Sequence, residues 1–263
     1  MPKNLSWYEA IFVRRSRRQF TNMPVEAAKW ERLEAVAEEL NTGFSGARLK
    51  LVNNPPDDIF KGAVGPYGKI TGAPAYVAFI GNTADPNFRE KVGYLGQCLI
   101  LEATVQQLGT CWVSGLFKRT TVQEQLKLLP EEEVLAVSPL GYTAAGYNFT
   151  EKVLSKFGYH HKRKDLASLC PDGVDEAWPK WVRASLEAAR LAPSAINRQP
   201  WLFSVQGESI KISITGGENK TFPKRLDCGI AMLQLELGAL KHGVRGEWEY
   251  KETPDVAIFR ASS

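Results

Sequence analysis

Apolar positions along the chain fall at helical spacing, then at strand spacing, and the whole series then begins again. Ser6 followed by Glu9 matches a capping box and predicts a short helix to about residue 14. Pro24 opens a second helix, along which Val25, Trp30, Leu33, Val36, Ala37 and Leu40 recur every three or four residues. Apolar runs at 49–52 and 75–80 predict buried strands, and a long helix rich in small residues follows over 87–108, closed by Gly109. Strands at 111–113 and 134–137 flank a short helix at 121–128. After Gly141 the pattern loosens through Gly146, Gly158 and the basic run 160–164, as far as Pro171-Asp172-Gly173. Regular spacing returns with a helix over 175–191 and strands at 201–206 and 209–215. A long helix over 226–242 ends at Gly243, and strands at 246–250 and 256–260 complete the pattern.

The two series echo each other in residues as well as order. Lys29-Trp30-Glu31-Arg32-Leu33 resembles Lys180-Trp181-Val182-Arg183-Ala184, and Leu101-Glu102 through Gly109 resembles Leu235-Glu236 through Gly243. Repetition at this length suggests a duplicated helix–sheet unit. The expected fold is α+β, with two similar halves related by a pseudo-two-fold, each carrying helices on a mostly antiparallel sheet. The expected boundaries are 1–145 for the first half, 146–174 for a linker and 175–263 for the second half. The two long helices should pack together through Gly93, Gly96 and Ala103 on one and Gly229, Ala231, Gly238 and Ala239 on the other.

Composition narrows the class without choosing a function. A chain of 263 residues with 44% hydrophobic and 24% charged residues has the makeup of a soluble globular protein with a large core. The net charge of +4 is spread along the chain, which suits a small anion better than nucleic acid. The four cysteines form no CxxC pair and no metal-ligand spacing with the three histidines, so reduced, buried thiols are expected. No run approaches the length of a membrane helix and the start has no signal-peptide core, so a cytoplasmic location is expected.

Two stretches carry the candidate chemistry. Between a helix and a strand, Pro193-Ser194-Ala195-Ile196-Asn197-Arg198-Gln199-Pro200-Trp201 makes a polar turn able to offer backbone N–H groups and short side chains to a planar polar ligand. Near the N-terminus, Arg14-Arg15-Ser16-Arg17-Arg18 offers guanidinium forks and a hydroxyl suited to phosphate. A solvated basic run and a nucleic-acid patch are the competing readings, the latter weakened by the lack of aromatics interleaved within the cluster. The glycines at 62, 65 and 68 lack the strand-to-helix context of a dinucleotide fingerprint.

Arg14-Arg15-Ser16-x-Arg18-x-Phe20 resembles the opening motif of the FMN-dependent nitroreductase family. Pro193-Ser194-x-x-Asn197-x-Gln199-Pro200-Trp201 is similar to its second motif, and Gly109-Thr110-Cys111-Trp112-Val113-Ser114-Gly115 with Leu140-Gly141-Tyr142 to its third. The arrangement departs from ordinary members, where the second motif follows the first by one helix. Here residues 37–48 lack it, and the second half carries it without its own Arg-Arg-Ser. The chain therefore resembles the tandem-half branch, with both subunits of an ordinary homodimer fused and one flavin site kept.

The resemblance implies a role for each matching residue. Arg14, Arg15 and Ser16 would hold the FMN phosphate, joined by Lys162 and Arg163. Arg18 and Lys69 would place positive charge at the pyrimidine edge of the ring, stabilising the reduced flavin. Pro193, Ser194, Ala195, Asn197 and Gln199 would pack on and hydrogen-bond the ring, while Ser114 and Gly115 would offer backbone N–H groups near its N5. The implied reaction takes hydride from NAD(P)H and reduces a nitroaromatic, quinone-like or other small aromatic acceptor, with no metal. An FMN-binding protein without turnover, and an interaction module using the basic runs, are the alternatives. A monomeric pseudo-dimer or a weak homodimer is expected, without nucleic-acid or membrane partners.

Overall fold

A computed structural model of the protein describes residues 4–55, 59–60, 69–115, 117–143, 162–218 and 222–262. The glycines at 62, 65 and 68, and most of the expected linker, lie outside the described residues. The first half runs α1 (Ser6–Val13), α2 (Ala27–Gly43), β1 (Ala47–Asn53), β2 (Ala75–Asn82), α3 (Phe88–Val105), β3 (Gly109–Thr110), α4 (Arg119–Leu126) and β4 (Glu132–Gly141). A four-residue helix α5 (Leu166–Leu169) leads into the second: α6 (Lys180–Arg190), a 3-10 turn (Ala195–Asn197), β5 (Trp201–Gln206), β6 (Ser209–Ile214), α7 (Lys224–Lys241), β7 (Gly246–Tyr250) and β8 (Asp255–Ala261). Each half builds an antiparallel four-stranded sheet, ordered β1-β2-β4-β3 and β5-β6-β8-β7. In both, the long helix is the crossover between the second and third strands, so the sheets share one topology and the α+β expectation holds.

Alternation along β2 explains how the first sheet is buried on both faces. Ala75, Val77 and Phe79 join the main core with the helices, whereas Tyr76, Ala78 and Ile80 face a smaller cluster with Ile59, Ile70, Phe117 and Val122. The main core also holds Phe203, Ile210, Ile212 and Phe259 of the second sheet, so one apolar interior runs through both halves.

Close approach of α3 and α7 joins the halves. An added Cβ would lie 2.1 Å from the Leu226 carbonyl oxygen at Gly93, and 2.0 Å from that of Glu90 at Gly229. Only a missing side chain allows backbones this near. Two buried polar links cross the same seam. The Arg225 guanidinium pairs with Glu90 at 2.5 Å while donating to the Lys251 and Asp255 carbonyls, and Tyr94 donates to Glu236 at 2.5 Å. Two of the glycines expected here act elsewhere: Gly96 makes room for Trp112, and Gly238 for the α6 backbone at Ser185.

Several helix ends differ from the pattern, α6 starting at Lys180 rather than at 175. The Ser6–Glu9 capping box does not form: the Ser6 N–H is taken by the Asn4 side chain at 3.0 Å, the Ser6 hydroxyl is buried without a partner, and Glu9 pairs with Lys241. An Asx side chain two residues upstream captures that amide first. Helix α3 stops three residues early, because Gln107 adopts φ 63° and the Leu108 N–H closes back on the Ala103 carbonyl at 2.8 Å. Gln107 thus fills the left-handed position, and Gly109 opens β3. At the end of α7, Gly243 (φ 76°) takes that place as expected.

Gly229→Ala is expected to destabilise the protein by about 1–3 kcal/mol, since α7 must move off the Glu90 carbonyl. Gly217→Ala, where an added Cβ meets nothing within 4 Å, should leave stability unchanged. Urea unfolding midpoints check this, and equal midpoints for the two variants would refute the packing account.

Candidate functional site

The basic stretch after α1 is held extended on the first sheet. Ser16 bridges Thr110 in parallel, Arg17 N–H donates to the Thr110 carbonyl at 2.8 Å, and Gln19 bridges Thr71. Arg18 and Phe20 exchange backbone hydrogen bonds with Thr71, both at 2.9 Å, which brings Arg18 alongside the segment that Lys69 enters. Arg14 is buried, with Nη1 3.5 Å from the Ser16 hydroxyl; Arg15 is exposed and donates to the Phe12 and Arg14 carbonyls. Lys69 is exposed.

In the second half, the turn after α6 is zipped to residues 162–164. The Asn197 side chain accepts from Arg163 and donates to the Lys162 carbonyl at 3.0 Å. The Gln199 side chain accepts from Lys164 N–H at 2.8 Å and donates to the same Lys162 carbonyl at 3.1 Å, while the Ser194 hydroxyl accepts from Gln199 N–H. These bonds hold a backbone that would not otherwise persist, because Ile196, Asn197 and Gln199 all have positive φ, between 47° and 55°. Left-handed non-glycine residues cost about 1–3 kcal/mol each, most for a β-branched side chain such as Ile196. Pro193 is buried, and Ile196 stands out from the turn, 61% exposed.

The charge of the first stretch is felt in the second at Arg163. Its proton affinity is lowered, first by burial and then by the like charges of Arg15 and Arg190. Arg163 hydrogen-bonds to Asn197 and to the Leu191 carbonyl, and neither it nor Arg15 has a carboxylate partner among the described residues. Arg190 pairs with Glu187, whereas the guanidinium charges of Arg15 and Arg163, held by neutral acceptors at a partly buried place, suit an anion.

A second junction lies at the third motif. The Phe222 ring fills the space a side chain at Gly115 would need, its Cε1 being 2.2 Å from an added Cβ. The Phe222 carbonyl accepts from Arg198 at 2.7 Å, and Arg198 in turn pairs with buried Asp227 at 2.9 Å. The Ser114 carbonyl accepts from Arg119 at 3.4 Å. Ala195 N–H, expected to face a ligand ring, is directed instead at the Asp227 carboxylate at 3.1 Å. Nothing in the sequence marked Asp227, Arg198 or Phe222: an aspartate in the first turn of an apolar helix is an ordinary helix-start signal.

The four cysteines are buried and in no disulfide, as expected. Among the described residues there is no group of acids, histidines and cysteines suited to a metal, and no helix is long and apolar enough to cross a membrane. An open cavity of about 460 Å³ beside Cys170, Asp172, Trp178 and Phe203 holds none of the candidate residues.

With this geometry in place, the likenesses to known proteins can be weighed. The family model described as "Putative TM nitroreductase" matches residues 6–239. A Thermotoga maritima structure named "putative nitroreductase" aligns over 99% of this chain and 95% of its own, at 21% identity and a TM-score of 0.65. An FMN-dependent nitroreductase from Clostridium difficile aligns over 59% of this chain and 97% of its own, at 18% identity and 0.44. A structure from Bacteroides thetaiotaomicron, named as an NADH dehydrogenase/NAD(P)H nitroreductase, covers 56% and 90% at 22% identity and 0.45. The comparison with curated proteins finds no match. The fold is that of the nitroreductases, a class of oxidoreductases. The chain belongs to the nitroreductase family.

Burial pushes the Asp227 carboxyl up to about 7, opposed by the Arg198 charge and the Ala195 N–H. Its value in an unfolded chain is about 3.9. A raised value in the folded state contributes stability fully present below the unfolded value and lost as pH rises towards 7. Asp227→Asn cannot ionise, so it should gain stability relative to the parent protein between about pH 5 and about pH 8. Urea midpoints of both proteins at those two values test this; a gap that does not move in the variant's favour refutes it.

Proposed function

We propose that the protein is an FMN-dependent oxidoreductase that takes hydride from NAD(P)H and reduces a nitroaromatic, quinone-like or other small aromatic acceptor. The observation that carries this reading is the half-buried Arg163, which hydrogen-bonds to Asn197 of the second half and feels the like charge of Arg15 from the first. Arg14, Arg15, Ser16, Lys162 and Arg163 hold the phosphate, where a dianion relieves the repulsion among the guanidinium groups. Pro193, Ser194 and the rest of the turn through Gln199 form the wall against the ring, with Asn197 and Gln199 acting by fixing residues 162–164 to it. Arg18 and Lys69 set positive charge at the pyrimidine edge. The bound flavin supplies two-electron chemistry that no side chain here can.

The shared sheet topology supports an internal duplication, with halves near 1–145 and 175–263. In the second half the stretch after α5, at the place the arginines hold after α1, reads Cys170-Pro171-Asp172-Gly173-Val174 and bears an acid. That stretch repels phosphate, so one flavin site per chain remains. Both walls of that site come from a single chain, so a monomer suffices for it. Four buried thiols outside any disulfide suit a reducing cytoplasm.

Titration of the protein with FMN should saturate at one flavin per chain, and NADH or NADPH should bleach the bound flavin anaerobically. Arg163→Ala and Ser16→Ala should each raise the Kd for FMN about 10–100-fold, the worth of a charge-assisted hydrogen bond. No binding by the parent protein overturns the reading; binding without reduction by either nicotinamide leaves a flavin-binding protein and removes the activity.

A further inference from the structure

We propose that Asp227, paired with Arg198, is a positioning residue that holds the ring-facing turn and Phe222 in register from behind. The inference rests on the FMN reading above and extends it to residues that the motifs do not specify. A carboxylate in a helix's first turn commonly serves its own helix, but here that duty is taken by Glu218, whose side chain accepts from Lys224 N–H at 2.5 Å and Arg225 N–H at 3.1 Å. Asp227 reaches to another element instead. It is 2% exposed, and its oxygens lie 3.1 and 3.3 Å from Ala195 N–H and 2.9 Å from Arg198 Nε. Arg198 then uses Nη2 to hold the Phe222 carbonyl at 2.7 Å.

One ion pair therefore ties both junctions of the site. On one side stands the turn with its run of left-handed residues; on the other stands Phe222, packed on Gly115 of the first half. A backbone so strained keeps its shape only where the surroundings over-determine it. Residues 162–164 fix the turn from the phosphate side, and Asp227 fixes it from the α7 side. Loss of the pair should loosen the wall against the ring while leaving the phosphate grip in place.

Riboflavin, which lacks the phosphate, separates the two ends. Binding of FMN and of riboflavin is measured for the parent protein, Ser16→Ala, Asp227→Asn and Arg198→Lys, with the visible circular dichroism of the bound flavin. Asp227→Asn keeps an acceptor for Ala195 and loses the charge; Arg198→Lys keeps the charge and loses the fork to Phe222. Both should weaken FMN and riboflavin by the same factor, about tenfold, and alter the flavin dichroism. Ser16→Ala should weaken FMN alone. If Asp227→Asn and Arg198→Lys bind both flavins as the parent does, with unchanged dichroism, or weaken FMN alone, the positioning role is overturned. Failure of the parent protein to bind FMN instead overturns the function proposed above, and this inference with it.

Discussion

The backbone contact between α3 and α7 sets the distance on which every later feature depends. Gly93 and Gly229 remove the side chains that would hold these helices apart, and each faces a carbonyl of the other. Contact this close is also directional, since the buried Glu90–Arg225 pair and the Tyr94–Glu236 bond can form only in one register. Breaking a buried pair by removing one member costs about 3–5 kcal/mol, so the register is strongly preferred over neighbouring ones. Arg225 carries the constraint onward, because its remaining donors hold the carbonyls of Lys251, Asp255 and Val256 at the start of β8. The second sheet is thus oriented by the same side chain that locks the helices.

From that seam the site is assembled by short steps. Asp227 sits two residues before Gly229 on α7, so the helix that meets Gly93 also presents the carboxylate that meets the turn at 195–199. The same turn reaches Phe222 through Arg198, and Phe222 returns to the first half at Gly115. Arg163 makes the other return, between the second-half turn and the charge of Arg15. The protein is stable enough to hold like charges together here because each arginine is anchored by carbonyl oxygens: Leu191 for Arg163, Phe12 and Arg14 for Arg15. Neutral acceptors fix position without cancelling charge, which leaves the electrostatic demand for an anion in place.

Much of this architecture is legible in the residues, and the exceptions have physical causes. Spacing is a strong signal where a helix has one buried stripe, as in α2, or where a strand alternates, as in β6. Ends are weaker, because several residues compete for one role. Asn4 takes the Ser6 amide that Glu9 would have accepted, and Gln107 takes the left-handed position that Gly109 could have filled. The strand expected at 111–113 is reduced to a single bridge between Val113 and Val137, since the chain leaves the β4 edge after Thr110. Several motif side chains face inward. The amides of Asn197 and Gln199 are spent on residues 162–164, which no reading of either stretch alone could show.

Asp227, Arg198 and Phe222 were illegible for a different reason. Each is unremarkable within its own element, and only tertiary packing, of the turn against α7 and of Phe222 on Gly115, makes them neighbours. Motifs report groups that touch a ligand, whereas groups that hold those in place act through tertiary distance and leave no fixed spacing behind. The asymmetry between the halves follows the same logic. Their sheets keep one strand order, which cores of similar size can preserve with many different sequences. The charged stretch after the first helix appears only in the first half, and a second copy of it would gather uncompensated charge without adding to the core. A fold of this kind tolerates divergence on its sheets and is exacting at the seam, because a shift between α3 and α7 would separate Phe222 from Gly115 and Arg163 from Arg15 together.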